Sequence, residues 1–175
     1  MTDRLTKSYW ITHGLRTLAN DGANALKIGP MATTLNVSRG SFYWHFRDIA
    51  DFRTQLLQSW QDHTVDQVIA ETEAQLDRLK HLLTRALTAK RNLEGAIRSW
   101  AAEDENVAAI VAVVDARRIA YIEKLLVAAG VETKSASPRA AFLYWACLGQ
   151  PLVMDPGHSS ISEIAINDLG DLFEK

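Results

Sequence analysis

The sequence predicts an all-α protein of nine helices. Apolar residues recur at three- and four-residue spacing through most of the chain, no segment shows the strict alternation of a strand, and several periodic runs end at Gly, Pro or Asn clusters. There is no internal repeat. A chain that is 47% hydrophobic and 23% charged folds rather than staying disordered. No long run of uncharged apolar residues suggests a membrane span, and Met1–Lys7 lacks the apolar core of a signal peptide. The single cysteine, Cys147, excludes an internal disulfide framework and fits a reducing, cytoplasmic setting.

The first helix is expected over residues 3–21, with Leu5, Trp10 (or Tyr9), Ile11, Leu15, Leu18 and Ala19 in register and Asn20-Asp21-Gly22 as its stop. Gly14 inside it costs ~1 kcal/mol against alanine in an exposed helix, which a close approach by another helix would explain. After a loop at residues 23–25, the second helix begins near Ile28, with Pro30 tolerated in its first turn. Met31, Ala32 and Leu35 give it an apolar face. Asn36 tolerates a left-handed backbone and turns the chain, Val37 plugs the angle, and Ser38 is placed to cap the next helix. That third helix runs over Arg39–Phe46. Phe42 and Phe46 share one face, and Arg39, Ser41, Tyr43, Trp44 and His45 are spread over the rest. An apolar stripe beside hydrogen-bond donors and flat rings suits a helix that enters a major groove.

A fourth helix starts at Asp48, whose charge suits a first turn, and runs towards Glu71 with Phe52, Leu56, Trp60, His63 and Gln67 on one stripe. The fifth spans residues 74–90 (Leu76, Leu79, Leu82, Leu83, Ala86, Leu87). The sixth spans 93–102 (Leu93, Ala96, Ile97, Trp100). Asp104-Glu105-Asn106 caps a long seventh helix, 106–129, which Gly130 ends. Pro138 opens an eighth helix through about Leu148, terminated by Gly149-Gln150-Pro151. Pro156-Gly157 is a loop, and a ninth helix spans residues 160–173.

The net charge of −2 conceals a division. Residues 1–53 hold seven Lys/Arg (Arg4, Lys7, Arg16, Lys27, Arg39, Arg47, Arg53) against four acids (Asp3, Asp21, Asp48, Asp51), a net of +3. The remaining residues hold twelve bases against seventeen acids, a net of −5. A basic head on an acidic body steers a polyanion to one end only.

Met31-Ala32, Val37-Ser38 and Phe42-Tyr43-Trp44-His45-Phe46 resemble, in type and spacing, the helix-turn-helix signature of the TetR family of ligand-responsive transcriptional regulators. Three positions depart from the family pattern: Lys27 where a Ser or Thr cap is usual, Gly29 where a polar residue is common, and Ile49 where a lysine usually approaches the DNA backbone. The resemblance implies a three-helix DNA-binding head, residues 1–48, and a helical ligand-binding and dimerisation body, residues 49–175. It implies DNA contacts from Lys27, Ser38, Arg39, Gly40, Ser41, Tyr43, Trp44, His45 and Arg47. Arg39, Gly40, Ser41 and Trp44 would face the groove, Tyr43 and His45 would bond phosphates, and Arg47 would compensate for the lysine absent at Ile49. The competing reading, an aromatic helix packed in the core, struggles to bury Arg39, Ser41 and His45 together with the rings.

Two late helices carry apolar stripes that suggest a partner: Ala141, Tyr144, Trp145 and Leu148 on the eighth, and Ile161, Ile164, Ala165, Leu169 and Leu172 on the ninth. Paired across a two-fold axis they form a four-helix bundle, as in the family's dimers; alternatively both stripes close the monomer's own core. A homodimer is favoured because half-site reading by one short helix is weak alone. By helix position and the family's architecture, the lining of a pocket for an unidentified small-molecule inducer is assigned to Trp60, His63, Gln67, Trp100, Arg118, Tyr121, Phe142 and Trp145, although most such aromatics are simply core. Arg118 projects onto an apolar face. It is either an anchor for an acidic group on an inducer or, the preferred reading, half of a structural ion pair with the Glu103–Glu105 cluster or Glu71. Asp77 and His81 read as a solvated pair rather than a metal site, and the apolar setting of Cys147 keeps its thiol inert.

No nucleophile elbow, phosphate loop, zinc-protease motif or dinucleotide fingerprint is present in the sequence, so no enzyme, metal or cofactor is expected. The sequence therefore reads as a transcriptional regulator, a repressor released from a palindromic operator by an inducer. The alternative is a helical small-molecule-binding module whose head contacts protein instead of DNA.

Overall fold

The computed structural model describes residues 5–89 and 92–174. Residues 3, 4 and 90 of the expected helices, and Asp3 and Arg4 of the head's charge count, lie outside the described residues. All regular structure among those described is helical. The helices are α1 (Lys7–Asp21), α2 (Ile28–Thr34), α3 (Arg39–Tyr43), α4, α5 (Arg78–Thr88), α6 (Asn92–Ala101), α7 (Glu105–Ala128), α8 (Thr133–Gly149) and α9 (Glu163–Glu174). α4 starts as Ile49–Gln61, passes through a π-helical turn at Asp62–Asp66 and continues as Gln67–Glu73. Counting α4 as one helix, and setting aside short helical turns such as Pro156–Ser159, the described residues hold the nine expected helices.

Packing divides the chain into two compact units, Met1–His63 with Arg91–Ala112, and Thr64–Lys90 with Val113–Lys175. The boundary expected after residue 48 falls inside the first unit.

In the first unit α1 buries Trp10, Ile11 and Leu18 and packs on α4 and α6. Trp10, not Tyr9, is the inward ring: Trp10 is fully buried and Tyr9 is exposed. Trp10, Phe42, Phe46 and Phe52 form a continuous aromatic cluster with centroids 5.0–5.5 Å apart and mixed edge-on and tilted geometries. Such pairs add ~0.5–1.5 kcal/mol each beyond the area they bury. Gly14 is where α4 comes closest. A Cβ built there would stand 2.5 Å from Phe52 Cζ and 2.7 Å from Leu56 Cδ1, which accounts for a glycine in mid-helix.

In the second unit the core joins Leu79 and Leu83 of α5, Ile122 and Leu126 of α7, Ala136, Ala140, Leu143, Tyr144 and Cys147 of α8, and Ile166 of α9. Its rim carries ion pairs, Glu73 with Arg78 at 3.2 Å and with Lys124 at 3.0 Å, Lys80 with Asp171 at 2.7 Å, and Glu71 with Arg85. Exposed pairs of this kind contribute ~0–1 kcal/mol each.

Several expected boundaries are corrected. α5 begins at Arg78, because residues 74–77 form the turn that separates it from α4, and Leu76 is fully exposed in that turn. α8 begins at Thr133, so Pro138 lies inside the helix instead of opening it. The bond lost there is the one to the carbonyl of exposed Lys134, which water can satisfy. Pro156-Gly157 belongs to a helical turn started by Asp155, whose carboxylate accepts the Gly157 N–H at 2.8 Å; α9 proper begins at Glu163. Asp48 is the N-cap of α4, accepting the Asp51 N–H at 2.8 Å, rather than a first-turn residue.

Candidate nucleic-acid interface

α2, its turn and α3 are set by backbone chemistry. Asn36 takes φ 54°, the one non-glycine in the left-handed region among the described residues, and the Val37 N–H closes the turn on the Ala32 carbonyl at 3.0 Å. Ser38 is extended ahead of α3, but its hydroxyl makes no capping bond, contrary to the expectation. Lys27, ahead of α2, likewise makes none, as its side chain dictates.

α3 is anchored by Phe42, fully buried, and by Phe46, 2% exposed, just beyond its end. The other residues of α3, and Trp44 just after it, are exposed or partly so. Arg39 and Gly40 are exposed, Ser41 is half-exposed, and Tyr43 and Trp44 are 58% and 72% exposed. Lys27, Ser38 and Arg47 are exposed as well. Lys27, Ser38, Arg39, Gly40, Tyr43, Trp44 and Arg47 are thus exposed and Ser41 partly so, on α3 or in the segments before and after it.

Three contacts were not visible in the sequence. The Arg39 guanidinium lies over Gly29, where a Cβ would approach its terminal nitrogen to 2.9 Å, so the glycine that departs from the family pattern makes room for the arginine. Asp51 accepts Gln55 Nε2 at 2.8 Å and the Arg47 N–H at 2.9 Å, and these bonds, the Gln55 amide first, hold its carboxyl below the usual range. The fixed carboxylate stands 3.9 Å from Arg47 Nε. His45, half-buried, bonds Leu5 O through Nε2 at 2.7 Å. A carbonyl only accepts, so Nε2 carries the proton and Nδ1 is the nitrogen left for another partner.

The residues expected to line an inducer pocket fall in both units. In the first unit Trp60 is buried, Trp100 is buried beneath the Arg53 guanidinium (5.6 Å to the ring centroid), and His63 is exposed, its Nδ1 bonded to Ser59 O at 2.7 Å. The π-helical turn explains His63 and Gln67. It inserts one residue, rotating the remainder of the helix by about 100°, so the buried stripe passes from Phe52, Leu56 and Trp60 to Val65 and Thr72. In the second unit Gln67 is exposed, Tyr121 is buried, and Phe142 and Trp145 are 57% and 63% exposed. Burial first, and then the Glu73 carboxylate, push the Tyr121 phenol up to about 12.

Arg118 does have an internal partner. Its Nη1 donates to Tyr144 Oη at 3.2 Å, and that hydroxyl donates to Asp115 Oδ1 at 2.6 Å. Glu71, one of the expected partners, pairs with Arg85. Asp115 lies one turn before Arg118 on α7, a spacing that was available in the sequence. Burial raises the Tyr144 phenol to about 12 although the Arg118 charge opposes it.

On the eighth and ninth helices Trp145, Ile164 and Leu172 are exposed, Ala141, Leu148, Ala165 and Leu169 are half-buried, as is Ile161 just ahead of the ninth, and Tyr144 is buried in its own unit. Leu152 and Met154, in the connection between them, are exposed too and were not anticipated.

The fold is that of solved TetR-family regulators. A candidate transcriptional regulator of Streptomyces coelicolor superposes with a TM-score of 0.70 at 15% identity, over 97% of this chain and 98% of its own. A TetR-family member from the same organism gives 0.66 at 21% identity, over 98% of each chain. A candidate TetR-family transcriptional regulator of a Rhodococcus species gives 0.64 at 16% identity, over 100% of each. At these identities the likeness is one of fold. No family model matches the chain, and no curated protein matches it in sequence.

Proposed function

We propose that the protein is a homodimeric DNA-binding transcriptional repressor, released from a near-palindromic operator by a small-molecule inducer. The observation that carries this reading is the division of α3: Phe42 and Phe46 are sealed in an aromatic core while Arg39, Tyr43 and Trp44 stand in solvent. A folded chain gains nothing from exposing two large rings and an arginine on one short helix unless something covers them.

In the complex α3 lies in the major groove. Arg39 swings from Gly29 to take a guanine edge bidentately, Ser41 and Trp44 meet neighbouring bases, and Gly40 lets the backbone approach. Tyr43, His45, Lys27, Ser38 and Arg47 fix the register through phosphates. His45 uses Nδ1, which donates to a phosphate only when the ring carries both protons. Two copies, joined through Trp145, Ile164, Leu172 and their neighbours, hold two α3 helices one DNA turn apart, ~34–36 Å. An inducer acts by preferring the arrangement in which that spacing is lost.

Selection from a pool of randomised duplexes tests the proposal. The expected outcome is enrichment of an inverted repeat; recovery of no preferred sequence would contradict sequence-specific binding.

A further inference from the structure

Among the described residues nothing requires a glycine at position 40. Glycine inside a helix is less stable than alanine, and at Gly14 and Gly29 a close neighbour explains it. Gly40 has no such neighbour. Its φ is not positive, and beyond its chain neighbours and the helix backbone a Cβ built there would meet only Ser38 Oγ, at 3.5 Å, an ordinary contact. One turn later stands Trp44, 72% exposed. It keeps helical backbone angles, φ −72° and ψ −21°, and the Phe46 N–H bonds the Phe42 carbonyl at 3.1 Å, so helical spacing continues through Phe46. At about 100° per residue, Trp44 lies opposite the midpoint of Phe42 and Phe46, the two anchors of α3. Helical side chains lean towards the turn before them, which for Trp44 holds Gly40 and Ser41. Yet no atom of the indole comes within 4 Å of the place a Gly40 Cβ would take. The space between the indole and the Gly40 backbone is open.

We propose that Gly40 and Trp44 form a slot for the 5-methyl group of a thymine, so that each half of the operator is read at one A·T pair by apolar contact. The inference rests on the reading that α3 lies in a major groove. Of the groups that base edges present there, the thymine methyl is the apolar one. A donor or acceptor set between an indole and a glycine Cα would give up water for no partner, whereas a methyl gains by leaving water. Cytosine, with only a hydrogen at C5, would leave the slot empty. The Ser41 hydroxyl beside it can donate or accept, so it does not choose between bases by itself. Exposed Arg39 and Arg47 bracket the pair in the sequence, which suits a polyanion rather than an apolar protein surface. A side chain at position 40 would occupy the slot, and that accounts for the glycine.

The test uses the full-length protein and the inverted repeat it selects from randomised duplexes. Each thymine of a half-site is replaced in turn by deoxyuridine, which keeps every hydrogen-bonding group and lacks only the methyl. At one position the replacement should weaken binding about fourfold, the worth of one buried methyl. Trp44→Ala, at an exposed site, should bind the thymine and deoxyuridine duplexes equally. Gly40→Ala, whose Cβ enters the slot, should also lose the discrimination. Because alanine favours the helix, its midpoint in urea should be unchanged or raised, so unfolding cannot explain the loss. A selected repeat in which no thymine responds to removal of its methyl would overturn the slot and leave the regulator. So would a methyl response kept in full by Trp44→Ala. Selection of no sequence at all would overturn both.

Discussion

Arg39 stands exposed at the start of α3 with its guanidinium over Gly29, so its position owes little to the core. Arg39→Ala should therefore leave stability nearly unchanged while relaxing base preference by ~1–3 kcal/mol at one position of the site. Tyr43→Phe and His45→Ala should weaken all sequences alike; competition assays with single-base operator variants distinguish the two patterns. Gly14→Ala should behave in the opposite way. Its new Cβ meets Phe52 and Leu56, both fully buried, so overpacking of ~1–3 kcal/mol outweighs the gain in helix propensity of up to ~1 kcal/mol. Urea unfolding should show a lowered midpoint. Tyr144 gives a pH signature: its phenol, raised to about 12, keeps its proton longer in the folded protein, so its stabilising contribution is complete below pH 10 and lost between 10 and about 12. Tyr121 is raised to the same extent, so two of the four tyrosines should form phenolate late, and Tyr144→Phe should halve that late step in near-ultraviolet absorbance. At this scale the sequence was readable where a residue's own chemistry decides, as at Asn36 and Gly14. It was unreadable where a distant partner decides, as for Arg118 with Tyr144 or Arg39 over Gly29.

Among the elements, hydrophobic period located the nine longer helices of the described residues, and the boundaries misplaced at prolines share a cause. Pro138 and Pro156 read as helix starts or breaks, yet a proline whose missing bond faces water is accommodated within a helix or in its first turn. The π-helical turn of α4 is the larger lesson. Nothing in Asp62–Asp66 announces one inserted residue, and that insertion moves His63 and Gln67 off the buried stripe. The Asp48 cap belongs to this scale too. Asp48→Ala removes a 2.8 Å bond to the Asp51 N–H and should lower stability by ~0.5–2 kcal/mol, with α4 fraying from its first turn in amide hydrogen exchange. Asp48→Ser should recover most of it.

For the whole molecule, the division of charge matters more than its sum. The basic stretch holds α3, and the acidic remainder holds the apolar faces at Trp145, Ile164 and Leu172. If α3 enters DNA as proposed, the basic stretch that holds it is the part of the sequence a polyanion attracts. Fold class and the helix-turn-helix were legible because both rest on local pattern; the core of the second unit was not, since it is made by α5, α7, α8 and α9 together and no one of them shows it. The central claim is that paired α3 helices read duplex DNA through a few well-placed cations. Equilibrium binding to a selected inverted repeat, monitored by fluorescence anisotropy across a salt series, tests it most directly. With Lys27, Arg39 and Arg47 engaged in each of two protomers, log K should fall linearly with log salt at a slope of about −4 to −6, and a single half-site should bind far more weakly. A flat salt response, or equal affinity for one half-site and two, would contradict it.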